Sequence, residues 1–248
     1  MNKLICHSLI AFSFFGMHSS HAEISFEQEL KQGCAKLSQY KQLGQKFYNQ
    51  KNYKKALEQF KDQAAWTPFC QTNVEEFRIN ISDKEVVIAN NNVGLTYAKW
   101  AKPLWARVWF QIDENFQMSQ FNLKQLPTPK QNSDLSGQYV SFAGFGQWNY
   151  ITVNKSPNKK NSDISFSGLY MESRGLIYGP NTGEFDAQMS LNKKTGKTDE
   201  CGISLKFGFN SKVGNFISVM QSESSEGCGY FGMNVSADGI YQKVELNQ

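Results

Sequence analysis

The hydrophobic pattern of the chain changes its period at residues 127–134. Before this segment, apolar residues recur at the three- and four-residue spacing of α-helices, and after it they alternate with polar residues as in half-buried strands. The segment itself contains prolines and polar residues without periodicity, which predicts a linker. The sequence therefore predicts an α+β protein of two domains. These are a helical domain at 23–126 and a small antiparallel β-domain at 137–248, joined by a linker at 127–136.

Residues 1–22 are predicted to be a cleaved export signal. Lys3 supplies the positive charge, residues 4–15 form a short apolar run, and Ser20 and Ala22 place small residues where a signal peptidase reads them. The run is shorter than the roughly 20 apolar residues of a membrane-spanning helix, so no stable membrane insertion is expected. A chain cleaved after Ala22 would be periplasmic or secreted.

Cleavage after Ala22 would remove every histidine, because His7, His18 and His21 are the three in the sequence. Nucleophile systems built on histidine are then excluded. No metal site or cofactor is predicted either, since there is no Cys-x-x-Cys pair and no histidine to complete a zinc site. The carboxylates Glu184 and Asp186 have strand spacing and could in principle cleave a glycosidic bond. As alternating polar residues of a half-exposed strand they are expected to face solvent, so no catalytic residue and no enzyme activity are predicted.

The four cysteines that remain after cleavage are Cys34, Cys70, Cys201 and Cys228, and they allow three pairings. In an oxidising compartment structural disulfides are favoured over metal binding. If the halves are separate domains, the pairing within each domain is expected, giving Cys34–Cys70 and Cys201–Cys228.

The charge balance gives no reason to expect a nucleic-acid partner. The chain has 26 lysine and arginine residues against 22 aspartate and glutamate residues, a net charge of +4 at pH 7. Lysines also occur in turn-like stretches such as 158–161 and 192–194, where runs of charge are typically solvated loop tips.

The helical half contains one residue pattern twice. Leu43-Gly44-x-x-Phe47 and Ala56-x-x-x-Phe60 recur about fifty residues later as Val93-Gly94-x-x-Tyr97 and Ala106-x-x-x-Phe110. Small residues at these positions would let two antiparallel helices approach closely. Several residues predict helix ends: Asn52 as an N-cap, Pro68 as a terminator, Ser82 and Glu85 as a capping box, and Pro103 in the turn of the second hairpin. An ordinary helical-bundle core is the alternative interpretation.

This double pattern resembles the tetratricopeptide-type helical repeat over roughly residues 35–125. The second copy departs from the family, with Asn90 in place of an aromatic residue, Met118 in place of the closing proline, and about sixteen intervening residues. In the implied hairpin Cys34 would begin the first helix and Cys70 would end the second, at the same end of the unit, where a bridge is natural.

Members of this family commonly bind extended peptides along the first helix of each repeat. The resemblance implies a binding face made by Lys41, Gln45 and Tyr48 from one repeat and by Asn92 and Leu95 from the next. Lys41 and Asn92 stand where carboxylate-gripping members place a lysine and an asparagine. Solvated helix surface is the alternative interpretation of Lys41.

The second half is predicted to be an antiparallel barrel or sandwich of about seven short strands. The predicted strands are 139–142, 148–153, 164–171, 184–191, 201–209, 216–220 and 240–246, with turns at 179–183, 192–196 and 210–214. The stretch 227–241, together with 181–185 and 201–203, is similar to small disulfide-bonded β-modules at the ends of exported bacterial proteins. Some of these modules are attached to lysozyme-inhibitor-like domains.

Two functions are expected from these features. The first is a non-catalytic protein- or peptide-binding adaptor whose partner lies in the cell envelope. The alternative is an inhibitor or immunity protein against a cell-wall hydrolase such as lysozyme, in which the loop 222–229, with Glu223 and Glu226, would face a basic enzyme.

Overall fold

The protein is described by a computed structural model that covers residues 25–73, 80–155, 161–172, 174–190, 192–198, 202–222 and 229–246. The fold is α+β, with helices in the first half and a closed antiparallel β-barrel in the second. The predicted export signal at 1–22 and the predicted bridge between Cys201 and Cys228 lie outside the described residues.

The described part of the helical half, residues 25–73 and 80–126, contains six helices. Its helices are α1 (Phe26–Ala35), α2 (Leu37–Asn49), α3 (Tyr53–Thr72), α4 (Asp83–Lys99), α5 (Pro103–Gln111) and α6 (Gln117–Gln125). The Asn52 side chain accepts a hydrogen bond from the Lys55 N–H, and Ser82 and Glu85 form the capping box that begins α4, as predicted. Within the described ranges no helix has both the length and the apolar character to cross a bilayer.

The prediction that Pro68 ends a helix is wrong, because α3 continues to Thr72. The turn after the proline is held by other contacts: Phe69 and Cys70 are buried, and the Thr72 hydroxyl donates to the Pro68 carbonyl at 3.0 Å. These contacts offset the backbone hydrogen bond that a proline cannot make.

The predicted Cys34–Cys70 bridge is confirmed, with 5.9 Å between the two Cα atoms. The prediction that Cys34 begins the first hairpin helix is wrong, since Cys34 lies near the end of the separate helix α1. The bridge therefore ties α1 to the last turn of α3. Around it, Leu30 and Phe69 form a small apolar cluster with the two cysteines.

One glycine–phenylalanine contact occurs in both helical hairpins, α2–α3 and α4–α5. A Cβ atom added to Gly44 would lie 2.5 Å from Cε1 of Phe60, and one added to Gly94 would lie 2.4 Å from Cε1 of Phe110. In each hairpin the ring of the second helix thus lies against the backbone of the first. The absence of a side chain at these glycines sets the distance between the paired helices.

The barrel consists, within the described residues, of eight strands that each pair antiparallel with the next, and β8 pairs with β1 to close it. The strands are β1 (Gly137–Gly144), β2 (Gln147–Lys155), β3 (Asn161–Tyr170), β4 (Asn181–Ser190), β5 (Thr195–Lys197), β6 (Ile203–Asn210), β7 (Gly214–Gln221) and β8 (Gly239–Val244). A short helix, α7 (Gly175–Tyr178), lies between β3 and β4. The predicted turn at 192–196 overlaps β5, a strand too short and too polar to show a period of two.

Apolar side chains fill the interior of the barrel. Tyr139, Ile151, Ile217 and Tyr241 are fully buried there, and Phe166 stacks on Phe185 with 4.9 Å between ring centroids. Eight strands enclose a space that side chains alone can fill. The surfaces open to a partner therefore lie on the outside of the barrel.

The helical half packs along the outer wall formed by β8, β1 and β2. Trp105 and Trp109 of α5 contact the Trp148 ring edge-on, with centroid distances of 5.9 and 5.4 Å. At the β1–β2 turn, Phe145 contacts Phe69 of α3 at 5.5 Å. A single hydrophobic cluster contains buried residues from both halves.

Glu245, just after the last strand, caps the N-terminus of α5. Its carboxylate accepts the Leu104 N–H at 2.9 Å and the Trp105 N–H at 3.0 Å, and its backbone carbonyl accepts the Trp105 indole N–H at 2.7 Å. The residue before the helix, Lys102, makes no side-chain cap. Because a helix N-terminus has unpaired N–H groups and a positive dipole, a carboxylate there stabilises the helix.

We expect Gly44→Ala to lower the free energy of unfolding by about 1–3 kcal/mol, because the new methyl group would overlap the Phe60 ring. At an unobstructed helix site the same change would raise stability by about 1 kcal/mol. Denaturant unfolding of a double-mutant cycle measures the contact. Phe60→Leu should relieve part of the cost of Gly44→Ala, whereas Phe110→Leu should add to it independently. Additivity within the Gly44 and Phe60 pair would contradict this account.

We expect Glu245→Ala to lower the free energy of unfolding by about 1–2 kcal/mol, because two backbone N–H groups of α5 lose their acceptors. The matched control is Glu114→Ala, which breaks an exposed ion pair with Lys212 of 2.8 Å and should cost less than about 1 kcal/mol. Equal losses from both substitutions in urea unfolding would show that the cap is unimportant.

Candidate functional site

The predicted binding residues of α2 and α4 lie on two helices that both pack on α3. Lys41 of α2 is exposed, and its positive charge acts on Glu85 in the first turn of α4. The pKa of Glu85 is lowered mainly by the hydrogen bonds from the Ser82 backbone N–H and hydroxyl, both 2.8 Å, with Lys41 contributing less. Lys41 thus acts electrostatically on the first turn of α4.

Three other predicted residues differ in how accessible they are. Gln45 is exposed and donates a hydrogen bond to the Asn49 side chain at 2.8 Å. Tyr48 is half-buried against the Tyr53 ring, and burial raises the pKa of its hydroxyl. Leu95 of α4 is exposed. Lys41, Gln45 and Leu95 are therefore the members of the predicted set that are open to a partner.

Asn92, the fifth predicted residue, joins two helices. It is half-buried, and its amide donates to the Gln63 side chain of α3 at 3.2 Å. Its neighbours extend to other elements: Asn91 donates to the Ser119 hydroxyl on α6, and Asn90 donates to Asp113 after α5. Successive residues of a helix point about 100° apart, so three adjacent asparagines reach three different partners.

The barrel contacts the hairpins mainly through their second helices, α3 and α5. The β1–β2 turn approaches α3 so closely that a Cβ on Gly146 would lie 3.3 Å from the Ala65 nitrogen. On α5, Trp105 and Trp109 face the barrel wall. The exposed residues Lys41, Gln45 and Leu95 lie on the first helices, away from these contacts.

A polar groove that sequence reasoning did not assemble runs along the outer wall of β2, β3 and β4. It comprises two adjoining cavities of about 700 and 510 Å³. Strand register brings its side chains together, because Ser165 lies opposite Asp186 and Ser167 lies opposite Glu184. Carboxylates, hydroxyls and tyrosine rings line the groove, from Asp163, Glu184, Asp186, Thr152, Ser165, Ser167, Tyr150 and Tyr230.

Glu184 and Asp186 are exposed on β4, so the prediction that they face solvent is confirmed. They are next-nearest neighbours on one strand and point to the same side of the sheet. The alternation of polar residues signalled a solvent-facing strand. Their alignment with Asp163 and the serines of β3 depends on the register, which the sequence does not contain.

Two further features are the predicted inhibitory loop and the possibility of a metal site. Of the predicted inhibitory loop 222–229, only Ser222 and Gly229 are among the described residues, so Glu223 and Glu226 lie outside them. In the described part of the chain no group of three or more histidine, cysteine, aspartate or glutamate side chains is arranged to hold a metal ion.

Comparison of the chain with protein-family models, with curated proteins and with solved structures finds no match.

Proposed function

We propose that the helical half is a pair of tetratricopeptide-like repeats that binds a polypeptide of the cell envelope along the α2–α4 face, defined here by Lys41, Gln45 and Leu95. The observation that carries this proposal is the repeated contact of Gly44 with Phe60 and of Gly94 with Phe110. It gives the two hairpins one internal geometry and so favours placing α2 and α4 as equivalent first helices.

The chemistry of the α2–α4 face suits an extended chain. Lys41 offers a cation, Gln45 an amide and Leu95 an apolar contact, a mixture that can bind backbone and side chains together. Lys41 is the residue best placed to attract an acidic group of the partner. The hydrogen bond from Asn92 to Gln63 holds α4 against α3 and so helps to fix the position of the face.

The surroundings of the face favour a preformed surface. The Cys34–Cys70 bridge fixes α1 to α3, and the barrel packs on α3 and α5. Because a surface that is already ordered loses less entropy on binding, this support would raise affinity for a partner.

The proposed function is binding without catalysis, in the periplasm or outside the cell. Glu184 and Asp186 project from the same side of one strand, whereas glycosidase carboxylates flank a bond from two sides. The export signal predicted at residues 1–22 supports an envelope partner. The modest net charge of +4 favours a protein over a nucleic acid as that partner.

The test is affinity capture from an envelope extract with chain 23–248, followed by binding measurements with the purified partner. Lys41→Ala combined with Leu95→Ala should weaken binding at least about tenfold, which corresponds to roughly 1.4 kcal/mol. Adding Asn92→Ala should weaken it further. The control is Lys193→Ala combined with Lys206→Ala, two exposed barrel lysines. A partner bound equally by the face variant, or lost only in the barrel variant, would contradict the proposal.

A second candidate function is inhibition of a basic cell-wall hydrolase, and the observation that favours it is the groove on the barrel wall. Among the described residues, three carboxylates, Asp163, Glu184 and Asp186, line this groove against one lysine, Lys197. A surface of this sign attracts a cationic enzyme such as lysozyme.

If the groove inhibits lysozyme, excess protein should slow the hydrolysis of peptidoglycan, and the effect should fade with added salt because the attraction is screened. The triple variant Asp163→Asn, Glu184→Gln, Asp186→Asn should lose inhibition, while the exposed control Glu58→Gln should retain it. Hydrolysis rates that do not change with added protein would eliminate this function.

A further inference from the structure

A further cavity, of about 410 Å³, lies where the helical half meets the barrel. Its walls come from α5, the connection that follows it, α6 and the β6–β7 turn. The charged residues of its lining are Arg107, Glu114, Lys124 and Lys212. We call this cavity the seam pocket.

Arg107 is the most deeply buried of the charged residues that line the seam pocket. Only 7% of its surface is exposed. One terminal nitrogen, Nη1, donates to the Lys212 carbonyl at 3.2 Å, and the other, Nη2, donates to the Pro127 carbonyl at 2.7 Å. Its Nε has no hydrogen-bond partner among the described residues. A guanidinium has five N–H donors and keeps its charge, so this buried cation retains donors for another acceptor.

The seam pocket also has more positive than negative charge. Its single carboxylate, Glu114, forms an ion pair of 2.8 Å with Lys212. In the described ranges neither Arg107 nor Lys124 forms an ion pair. Asp113, next to Glu114 in the chain, accepts a hydrogen bond from Asn90. Buried charges are ordinarily paired, so the pocket is suited to an anion.

A second polar group in the lining narrows the choice of anion. Gln111 lies one helical turn after Arg107, on the same side of α5, and its buried Oε1 has no partner among the described residues. Two residues of the lining thus carry unpaired polar atoms, a donor on Arg107 and an acceptor on Gln111. A simple dicarboxylate supplies only acceptors and would leave Gln111 unpaired, which costs free energy in a buried site.

We propose that the seam pocket binds an N-acylated amino acid, either free or as the C-terminal residue of a peptide. Arg107 holds the carboxylate through the planar fork of N–H groups that suits this ion. Gln111 accepts the adjoining amide N–H, and Lys124 adds positive charge at the rim. Leu123 provides an apolar contact for the ligand side chain.

The seam pocket is separate from the α2–α4 face, and the two proposals stand independently. Its residues belong to α5, α6 and the barrel, whereas the face belongs to α2 and α4. A protein with Lys41→Ala plus Leu95→Ala that no longer binds its envelope partner should therefore still bind the ligand of the seam pocket.

Isothermal titration of chain 23–248 tests the ligand class with N-acetyl-alanine, N-acetyl-trialanine, the C-terminal amide of that tripeptide, and succinate. Both acids should bind, and the amide and succinate should bind at least about tenfold more weakly. Comparable affinities of the two acids assign the site to free acylated amino acids, while a tighter tripeptide assigns it to peptide ends. Equal binding of acid and amide, or no binding of either acid at millimolar concentration, would overturn the proposal.

Variants identify the residues. Lys124→Gln changes an exposed side chain and should weaken N-acetyl-alanine binding several-fold, whereas the exposed control Lys99→Gln should not. Gln111→Met should remove the preference for N-acetyl-alanine over propionate, because propionate lacks the amide N–H. Arg107→Lys should abolish binding. If that variant unfolds, the Gln111 and Lys124 variants still test which residues bind the ligand. Unchanged affinity in both would contradict the assignment.

Discussion

The packing of α5 against the barrel is the interaction on which the arrangement of this protein depends. This helix has nine residues, fewer than a helix needs to persist alone in water, so tertiary contacts must hold it. Residues 105–110 are all buried, and the tryptophans among them contact Trp148 of β2. Glu245 then supplies the cap that the helix lacks from its own sequence. Helix and barrel therefore stabilise each other.

This contact divides the outer wall of the barrel into two parts. Where α5 packs, the strands β1, β2 and β8 bury outward residues such as Val140, Trp148 and Val244. On the far side, β3 and β4 bury only their inward residues, and their outward residues are polar except for Leu169. The polar groove lies on this wall because no described helix packs there to cover the polar side chains. The same contact leaves the α2–α4 face open, since the barrel occupies α3 and α5.

The features that the sequence predicted well are those set by nearby residues. The capping box of Ser82 and Glu85 and the repeated glycine–phenylalanine pattern depend on short spacings, and the structure shows the contacts. The Glu245 cap could not be predicted, because it joins residues 140 positions apart. The helix beyond Pro68 depends on the burial of Phe69 and Cys70, a tertiary effect that overrides the local preference of proline.

The candidate sites also divide into features set by nearby residues and features set by contacts between distant residues. Lys41 and Leu95 could be predicted as accessible because their place in a helical pattern fixes the side on which they lie. Arg107 could not be singled out, because in the sequence it is one charged residue within an apolar helix. Its orientation comes from the carbonyls of Pro127 and Lys212, on the connection after α6 and on the barrel. Only the packing of both halves creates a buried cation with an unused donor. The seam pocket is therefore a property of the assembled fold, whereas the α2–α4 face needs only the hairpins and the bridge at Cys34 and Cys70.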